Sequence, residues 1–394
     1  MANVTIKKTE NAGDYSKEIS FEAKDIEYLD KELVKSLFEG GEEAQPEKVV
    51  KLADAPGSLE VKHDIVAIYD NAGIPSIMHR FTRITNKELF GGSEKPHPAF
   101  VIGGEVCDEI YISVYENCNI GGKPYSLPMQ EAWVNITNDE AAKACFSKGE
   151  GWHLMTAAEW GLLANLSLKN GTLPHGNTNS GKYHADPEEH GKVYGGNYTL
   201  AGSGPATWTH DHTPEGVHDL CGNHWEMIRG LRIKNGVLQR AKDNDAALDI
   251  DLTIEGDGWE NILDDSGKPI RVSVDDGISF TTDTDIEQDY TGDCWEDVKM
   301  ECESEQLKEL AIFGGEPKAY CYIDSTDGEY FPVRGGSWSN GASAGVFCLY
   351  VNRRSLLFHH ERWLPLRLLQ EKLITGYWKT VGAATAAQQR RSKL

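Results

Sequence analysis

A run of glycine, small polar and aromatic residues near the C-terminal end could form a surface for non-covalent recognition. It begins with RGGSW at residues 334–338 and continues with SNGASAGVF at residues 339–347. The two glycines allow a sharp turn or a close approach to another strand, and Trp338 and Phe347 are expected to be buried anchors. We predict an outward-facing recognition surface made of Ser339, Asn340, Ser343, Tyr350, Asn352, Arg353, Phe358, His359, His360 and Trp363.

Cysteine is the next residue type that could do chemistry. The chain has eight cysteines and no C-x-x-C pair. In a chain of this length, that pattern argues against a disulfide framework and against a structural zinc site. We expect isolated, reduced thiols, several of them buried.

Composition limits the classes of partner. The chain has 394 residues and a net charge of −23, so it should be repelled by nucleic-acid backbones and by anionic lipid. No apolar run is long enough to span a membrane, and the first residues lack the apolar core of a signal peptide. We therefore predict synthesis in the cytosol, with no nucleic-acid binding and no membrane insertion.

Strands and helices must position the polar surface. Strand patterns lie at residues 99–104 and 109–115, and the second alternates apolar and polar side chains. Helix patterns lie at residues 138–145 and 156–166, each with a capping residue and early acidic side chains. This mixture predicts an α+β fold with a ligand-binding domain at residues 91–369.

Three further regions complete the predicted organisation. Residues 1–90 read as an N-terminal module for anchoring or oligomerisation, with an extension of the main fold as the alternative. Residues 231–330 read as a large acidic insertion, since residues 243–305 hold about twenty acidic side chains and few basic ones. The insertion still contains strand-like pieces at residues 248–252 and 270–274, and residues 370–394 form a basic, loosely ordered tail.

Three ordered motifs resemble one known family. They are GWHLMTAAEW at residues 151–160, GVHDLCGNHWE at residues 216–226 and the RGGSW segment at residues 334–338. Together they resemble the variable proteins of diversity-generating retroelements, a branch of the C-type lectin fold related to formylglycine-generating enzyme, also called sulfatase-modifying factor. The similarity extends over residues 98–369, and three ordered motifs are more specific than one short pattern.

The resemblance implies a function in binding. Its members carry a diversified surface on a fixed scaffold, and the outward-facing residues named above are compatible with that diversification. We therefore expect a non-catalytic receptor-binding protein, located on a phage tail or, alternatively, on a bacterial cell surface. Its partner would be a protein or glycan on a bacterial host cell, with homo-oligomerisation left open. A structural virion protein is a further alternative.

The resemblance is weaker after Ser355. The family frame usually closes with Gly-Phe-Arg, whereas this chain has Pro365, Leu366 and Arg367 in that place. Glu361 and Trp363 are also not obvious products of adenine mutagenesis at asparagine codons.

Enzymatic relatives provide the alternative class. Formylglycine-generating enzymes hold copper between two cysteines after the equivalent of RGGSW, because soft thiolates select Cu(I). Here that segment contains Cys348 alone. Iron-dependent relatives use a histidine cluster, for which this chain offers His210, His212, His218 and His224. We expect these to be structural histidines and the protein not to be an enzyme.

The resemblance also implies a metal site, although no cofactor is required for binding. In the formylglycine-generating relatives, a structural calcium ion is held by side chains matching Asp219 and Glu226 and by carbonyls matching Gly222 and His224. Oxygen ligands from a tight turn suit calcium. The alternative is that Asp219, Asn223 and Glu226 only cap and hydrogen-bond neighbouring backbone.

Overall fold

The computed structural model describes residues 65–314 and 319–353 in full, and elsewhere the backbone of several strands. The chain divides into two compact units, Met1–Pro46 and Glu47–Leu394. The first contains an antiparallel hairpin of β1 (Val4–Ala12) and β2 (Tyr15–Ala23). The second is a mixed α+β unit in which strands predominate, so the predicted α+β class is confirmed.

The second unit contains four α-helices and most of the strands in the described part of the chain. The helices are α1 (Asn86–Phe90), α2 (Asn138–Phe146), α3 (Ala157–Asn170) and α4 (Glu305–Glu309). The strands are β3 (Val50–Asp54), β4 (Asp64–Tyr69), β5 (Pro75–Thr82), β6 (Val101–Ile102), β7 (Glu105–Val106), β8 (Glu109–Ser113), β9 (Asn117–Ile120), β10 (Lys123–Ser126), β11 (His153–Leu154), β12 (Val193–Tyr194), β13 (Tyr198–Thr199), β14 (Trp225–Met227), β15 (Leu231–Lys234), β16 (Val237–Ala241), β17 (Trp259–Asn261), β18 (Arg271–Ser273), β19 (Ser279–Thr281), β20 (Tyr290–Cys294), β21 (Lys299–Met300), β22 (Tyr320–Asp324), β23 (Glu329–Gly335), β24 (Gly345–Arg353), β25 (Arg362–Trp363) and β26 (Leu366–Leu369).

Two sheets organise these strands. The smaller sheet has the order β11-β26-β8-β5-β4-β3. The larger sheet, counted over the described strands, is 12-stranded and has the order β20-β22-β24-β23-β15-β16-β18-β19-β21, with β14, β17 and β25 attached beside this path. The larger sheet curls, since Ile278, next to β19, donates its N–H to Asp293 on β20 at 2.9 Å.

The predicted helices form for local reasons. The hydroxyl of Thr156 accepts from the Glu159 N–H at 3.2 Å, and the Glu159 carboxylate accepts from the Thr156 N–H at 3.1 Å. Thr137 and Glu140 make the same reciprocal pair at the start of α2. Such a capping box satisfies N–H groups that a helix start leaves without partners.

Helix α3 lies in the main core. Trp160, Leu162 and Leu163 on this helix have no exposed surface. The helix approaches the C-terminal end of α4 closely, because a Cβ added to Gly161 would lie 2.0 Å from the carbonyl oxygen of Glu309. Glycine at position 161 therefore permits this contact between helix and backbone.

The acidic region is part of the core and is not merely a solvated insertion. Strands β15 to β22 of residues 231–330 belong to the larger sheet, and Val272, Phe280 and Trp295 have no exposed surface. About twenty of residues 243–305 are acidic, while these buried apolar side chains belong to the main hydrophobic core.

The predicted strand at residues 248–252 is wrong. That segment follows a short 3₁₀ helix at Asp245–Ala247 and is irregular. Its backbone is held by the guanidinium of Arg229, which donates to the carbonyls of Ala246 and Leu248 at 2.6 Å and of Ile250 at 2.9 Å. A side chain from outside the segment therefore replaces the hydrogen bonds that a sheet would have supplied.

The division between units differs from the predicted boundary near residue 90. Strands β4 and β5 pair with each other, and β5 pairs with β8, so residues 64–82 belong to the smaller sheet of the second unit. The predicted helix at residues 26–37, the connector at residues 39–46 and the tail at residues 370–394 lie outside the described residues. Within the described part, the helices are too short or too polar to cross a lipid bilayer.

We expect Gly161→Ala to lower the free energy of unfolding by about 3 kcal/mol, because the new methyl group meets backbone that cannot rotate away. Helix propensity alone predicts the opposite, a gain of about 1 kcal/mol. The measurement is urea unfolding followed by circular dichroism. Asn170→Ala is the control, since it adds alanine at an exposed position of the same helix and should be nearly neutral. A Gly161→Ala variant as stable as this control would contradict the packing.

Candidate functional site

The candidate recognition turn comprises residues 337–344 between β23 and β24. Gly335 and Gly336 precede it with φ angles of +84° and +89°, which favour glycine. A Cβ on Gly336 would lie 2.7 Å from the Cβ of Ala344, so the two arms of the turn approach closely here. A side chain at this position would force the arms apart.

Backbone hydrogen bonds fix the recognition turn to neighbouring loops. The Trp338 N–H donates to the Asn223 carbonyl at 3.0 Å, and the Ser180 N–H donates to the Trp338 carbonyl at 3.1 Å. The Gly341 N–H donates to the Thr178 carbonyl at 3.1 Å. The position of the turn relative to these loops is thus set by its main chain.

The side chains predicted for recognition differ in exposure. Ser339 is exposed, whereas Asn340, Ser343, Tyr350, Asn352 and Arg353 are half-buried. Trp363 lies in β25, but its side chain is outside the described part of the chain, and Phe358, His359 and His360 lie wholly outside it.

One of these residues, Asn340, has a local structural role, and the two predicted anchors differ in burial. The Asn340 carboxamide oxygen accepts from the Ser337 N–H at 2.9 Å and from its hydroxyl at 2.7 Å, so Asn340 helps to form the turn. Trp338, expected to be a buried anchor, is only half-buried and makes an edge contact with Tyr198. Phe347 is buried as expected, with 1% of its surface exposed.

Tyr350 belongs to an aromatic group that the sequence did not indicate. Its ring centroid lies 4.3 Å from that of Trp225, 5.3 Å from that of Tyr322 and 6.2 Å from that of Tyr320. The alternation YCYID at residues 320–324 was a usable signal for a strand with tyrosines on one face. Its partners could not be identified because the pairing of β22 with β24 joins distant parts of the chain.

Behind the recognition turn lies a group of buried carboxyl groups, Glu116, Asp219 and Glu226, each at most 1% exposed. Burial raises the pKa of Glu226 well above its usual range, and the negative charges of Glu116 and Asp219 raise it further. The same causes, burial and then Glu116, raise the pKa of Asp219. Glu116 was not identified from the sequence, since it lies more than a hundred residues before the motif it joins.

The donor chemistry at this buried group fits a calcium ion. Within the described residues, both carboxylate oxygens of Glu226 and one of Glu116 are buried without a hydrogen-bond partner. Positive φ angles at Asp219, Gly222 and Asn223 make the tight turn from which the predicted carbonyl ligands, those of Gly222 and His224, would come. Hard oxygen donors of this kind suit calcium. Asp219, Glu226 and Glu116 would have to be drawn together to hold it with those carbonyls, because their carboxylate oxygens are not all within 4.8 Å of one another in the described structure.

The histidines have structural partners. His218 is buried, with Nε2 3.1 Å from the Pro214 carbonyl, and burial lowers its pKa to about 4. His212 lies 3.1 Å from the Leu173 carbonyl. His224 stacks on Tyr198 at 4.4 Å, and its Nδ1 lies 3.5 Å from Glu116.

One cluster, His79, His210 and Asp211, has ligand atoms within 4.8 Å of one another. The Val217 N–H donates to His210 Nδ1 at 2.9 Å, so neutral His210 carries its proton on Nε2 and neither nitrogen is available to a metal. Asp211 Oδ1 already accepts from Thr213 and Thr209. We interpret the cluster as a hydrogen-bonded support for the turn at residues 209–217.

The Asn223 carboxamide uses all its hydrogen-bonding capacity while fully buried. Its nitrogen donates to Glu116 at 2.6 Å and to the Thr199 carbonyl at 3.1 Å. Its oxygen accepts from the Asn177 side chain at 3.0 Å and from the Thr199 N–H at 2.9 Å. An amide offers two donors and two acceptor positions, so none is left over.

We expect Asn223→Asp to lower the free energy of unfolding by about 3–5 kcal/mol, because it removes both donors and adds a further carboxyl group beside Glu116. The measurement is the urea midpoint at neutral pH. Asn179→Asp makes the same chemical change at an exposed position and should shift stability by less than about 0.5 kcal/mol. Equal midpoints for the two variants would show that the Asn223 network is not needed.

We expect the purified full chain to contain about one calcium ion, and Glu226→Gln to lose most of it. The folded-state pKa values of Glu116, Asp219 and Glu226 are raised, so in calcium-free protein these groups oppose folding increasingly as pH rises above their ordinary values near 4. Chelation should therefore lower the melting temperature at neutral pH and have less effect near pH 5.

Metal analysis and thermal melting with and without chelator measure both effects. Glu105→Gln, at an exposed carboxyl group in β7, is the control and should keep its calcium. The calcium site is excluded if the wild-type protein contains no bound metal and its melting temperature does not respond to added calcium.

Comparison with known proteins gives no relative. No protein-family model matches the chain, and no curated protein sequence matches it significantly. The interpretation of its function therefore depends on its own motifs and on the contacts that these motifs make.

Proposed function

We propose that this chain is a non-catalytic ligand-binding protein with a C-type lectin fold, similar to the variable proteins of diversity-generating retroelements. The observation that supports this most directly is that the three motifs meet in space. The ring of Trp160, from the first motif, would lie 3.6 Å from a Cβ on Gly335 of the third. Its indole N–H donates to the carbonyl of Val346, which follows the third motif on β24, at 2.7 Å. The Gly222 N–H, from the second, donates to the Gly335 carbonyl of the third at 3.0 Å. Motifs that only matched by chance would have no reason to be in contact.

A further support is the separation between frame and surface in the third motif. Arg334 has no exposed surface and donates through Nη2 to the Leu310 carbonyl at 2.6 Å. Val346, Phe347 and Leu349 are also buried. Ser339, in contrast, is exposed and Ser343 is half-buried, so these can change with little effect on the core.

The oxidase alternative is less well supported. Cys348 has no exposed surface, and burial raises the pKa of its thiol. A buried, protonated thiol is a poor ligand and nucleophile. Positions 339, 340 and 343, where a second thiol would be needed, hold serine and asparagine.

By the same resemblance, we place the protein on a phage tail, with a bacterial cell surface as the alternative. The ligand is then a protein or glycan of a bacterial host cell. A single surface of this size binds modestly, and repeated copies on one particle increase the overall affinity. If the protein were only a structural component of a virion, substitutions at exposed residues of the recognition turn would not affect attachment to cells.

We expect a panel of fixed bacterial strains to retain the wild-type protein on at least one strain. The double variant Ser339→Tyr with Ser343→Tyr should reduce that retention about tenfold, because bulky side chains at the recognition turn disrupt a fitted contact. Its melting temperature should change little, since Ser339 is exposed and Ser343 is half-buried. Retention is measured by sedimentation of the cells with bound, labelled protein.

The matched control introduces the same side chains elsewhere, with Glu105→Tyr and Val106→Tyr at exposed positions of β7. This control should be retained like the wild type. The proposal fails if no strain retains the protein, or if both double variants are retained equally.

A further inference from the structure

The outer face of the β20-β22-β24 edge of the larger sheet carries a group of tyrosines, which we call the tyrosine face. It comprises Tyr290, Tyr320, Tyr322 and Tyr350. Tyr322 is paired with Tyr350 across β22 and β24, and residues paired directly across two strands lie on the same face. Three of the four tyrosines come from the acidic region and lie outside the predicted variable segment.

The tyrosine face is held in place by a glycine on the edge strand. A Cβ on Gly292 would lie 2.5 Å from ring atoms of both Tyr320 and Tyr322, so the two rings cover the backbone of β20 at this point. The Tyr320 hydroxyl donates to the Gly292 carbonyl at 2.8 Å. These rings are half-buried, and Tyr290 beside them is 62% exposed. Part of each ring is therefore open to solvent.

The surroundings of the tyrosine face are strongly acidic. Residues 283–297 and 319–327, which contain β20 and β22, hold nine acidic side chains and no lysine or arginine. Asp324 is paired with Tyr290 and lies on the same face. Among the described residues, Asp324 forms no ion pair with a basic side chain. Asp293 is paired with the buried Cys321 and therefore lies on the opposite face of the sheet.

We propose that the tyrosine face binds a lysine- or arginine-bearing segment of a partner protein. Ring faces attract cations through their quadrupole, and the surrounding carboxylates add a complementary charge. This inference rests on the proposed function in one respect: it extends the recognition surface from the turn to the acidic region. A sugar would stack on the same rings but would gain nothing from the nine acidic groups. An anionic ligand would be repelled by them.

Arg353 gives the proposal an additional consequence. It follows Tyr350 by three residues on β24, so its guanidinium lies near this group of rings. Burial raises the pKa of the Tyr322 and Tyr350 hydroxyl groups, and the charge of Arg353 opposes that rise. A positive charge at this position competes with a cationic ligand. Arg353 is also one of the residues predicted to vary, so exchange there would tune the affinity for basic partners.

In the test, acetylated tetralysine amide is titrated into the full chain, and the heat of binding is measured by calorimetry at near-physiological salt. We expect Tyr290→Ala with Tyr322→Ala to weaken binding about tenfold, as expected for the loss of two cation–π contacts at a solvent-accessible face. Arg353→Gln should strengthen binding several-fold. Tetraglutamate should not bind. Tyr290→Ala alone, at a residue that is mostly exposed, should weaken binding about threefold without affecting the fold.

Controls separate specific binding from general attraction to a chain of charge −23. Glu105→Gln with Asp257→Asn removes two exposed charges from other elements and should leave the affinity unchanged. Tyr322→Phe keeps the ring and should bind like the wild type. If the tyrosine variants bind tetralysine as tightly as the wild type, or if the acid control weakens binding equally, the inference is overturned.

The outcome is distinguishable from that of the proposed function. Cell retention that depends on Ser339 and Ser343, with tetralysine binding unaffected by Tyr290→Ala, leaves the proposed function intact and removes this inference. Tyrosine-dependent tetralysine binding without cell retention on any strain leaves this inference intact and removes the proposed function. Tyrosine-dependent binding of a mannose or glucose polymer without tetralysine binding would overturn the assigned ligand class.

Discussion

The buried carboxamide of Asn223 is the interaction on which the arrangement of the site depends. Its side chain links residues 116, 177 and 199, and its carbonyl accepts from the Trp338 N–H at the start of the recognition turn. Few side chains other than asparagine could donate twice and accept twice in this space. Because the turn is fixed to its neighbours by main-chain and buried groups, exposed side chains such as Ser339 are not required to hold it there, whereas Asn340 helps to shape the turn itself. That division of roles is what a surface with exchangeable residues needs.

The Asn223 side chain also explains why buried carboxyl groups lie beside it. Asn223 donates to Glu116, which brings one carboxyl group close to Asp219 and Glu226. Burial of three carboxyl groups beside a single histidine, His224, is unfavourable, and the raised pKa values of all three express this. Either protons or a cation must balance them. At neutral pH, protons balance the negative charge of these carboxyl groups least well. A calcium ion would therefore stabilise them most at that pH.

Local patterns in the sequence were sufficient to predict part of this structure. Thr156 and Glu159 determine a helix start through a reciprocal hydrogen bond that depends only on residues three apart, and the sequence predicted it. Glu116 joins the motif at residues 216–226 from a hundred residues away, and no local pattern indicates such a contact. The acidic region was misjudged for a related reason. Its net charge describes the exposed residues, whereas Phe280 and Trp295, which build the core, are a minority in its composition.

The two parts of the proposed recognition surface are built differently, and this has consequences for how freely their residues can change. Ser339 lies on a turn held by its backbone, and its exposed hydroxyl contacts the neighbouring Ser337 hydroxyl at 3.3 Å, so exchange there changes ligand contacts with little effect on the core. Tyr350 packs at 4.3 Å on Trp225 and lies in register with Tyr322, so exchange there also changes the packing of an exposed sheet edge. Tyr320 and Tyr322 cover Gly292, whose missing side chain makes room for them. A chain that varied both parts would find small polar residues tolerated at the turn, while ring-shaped side chains would be favoured at position 350.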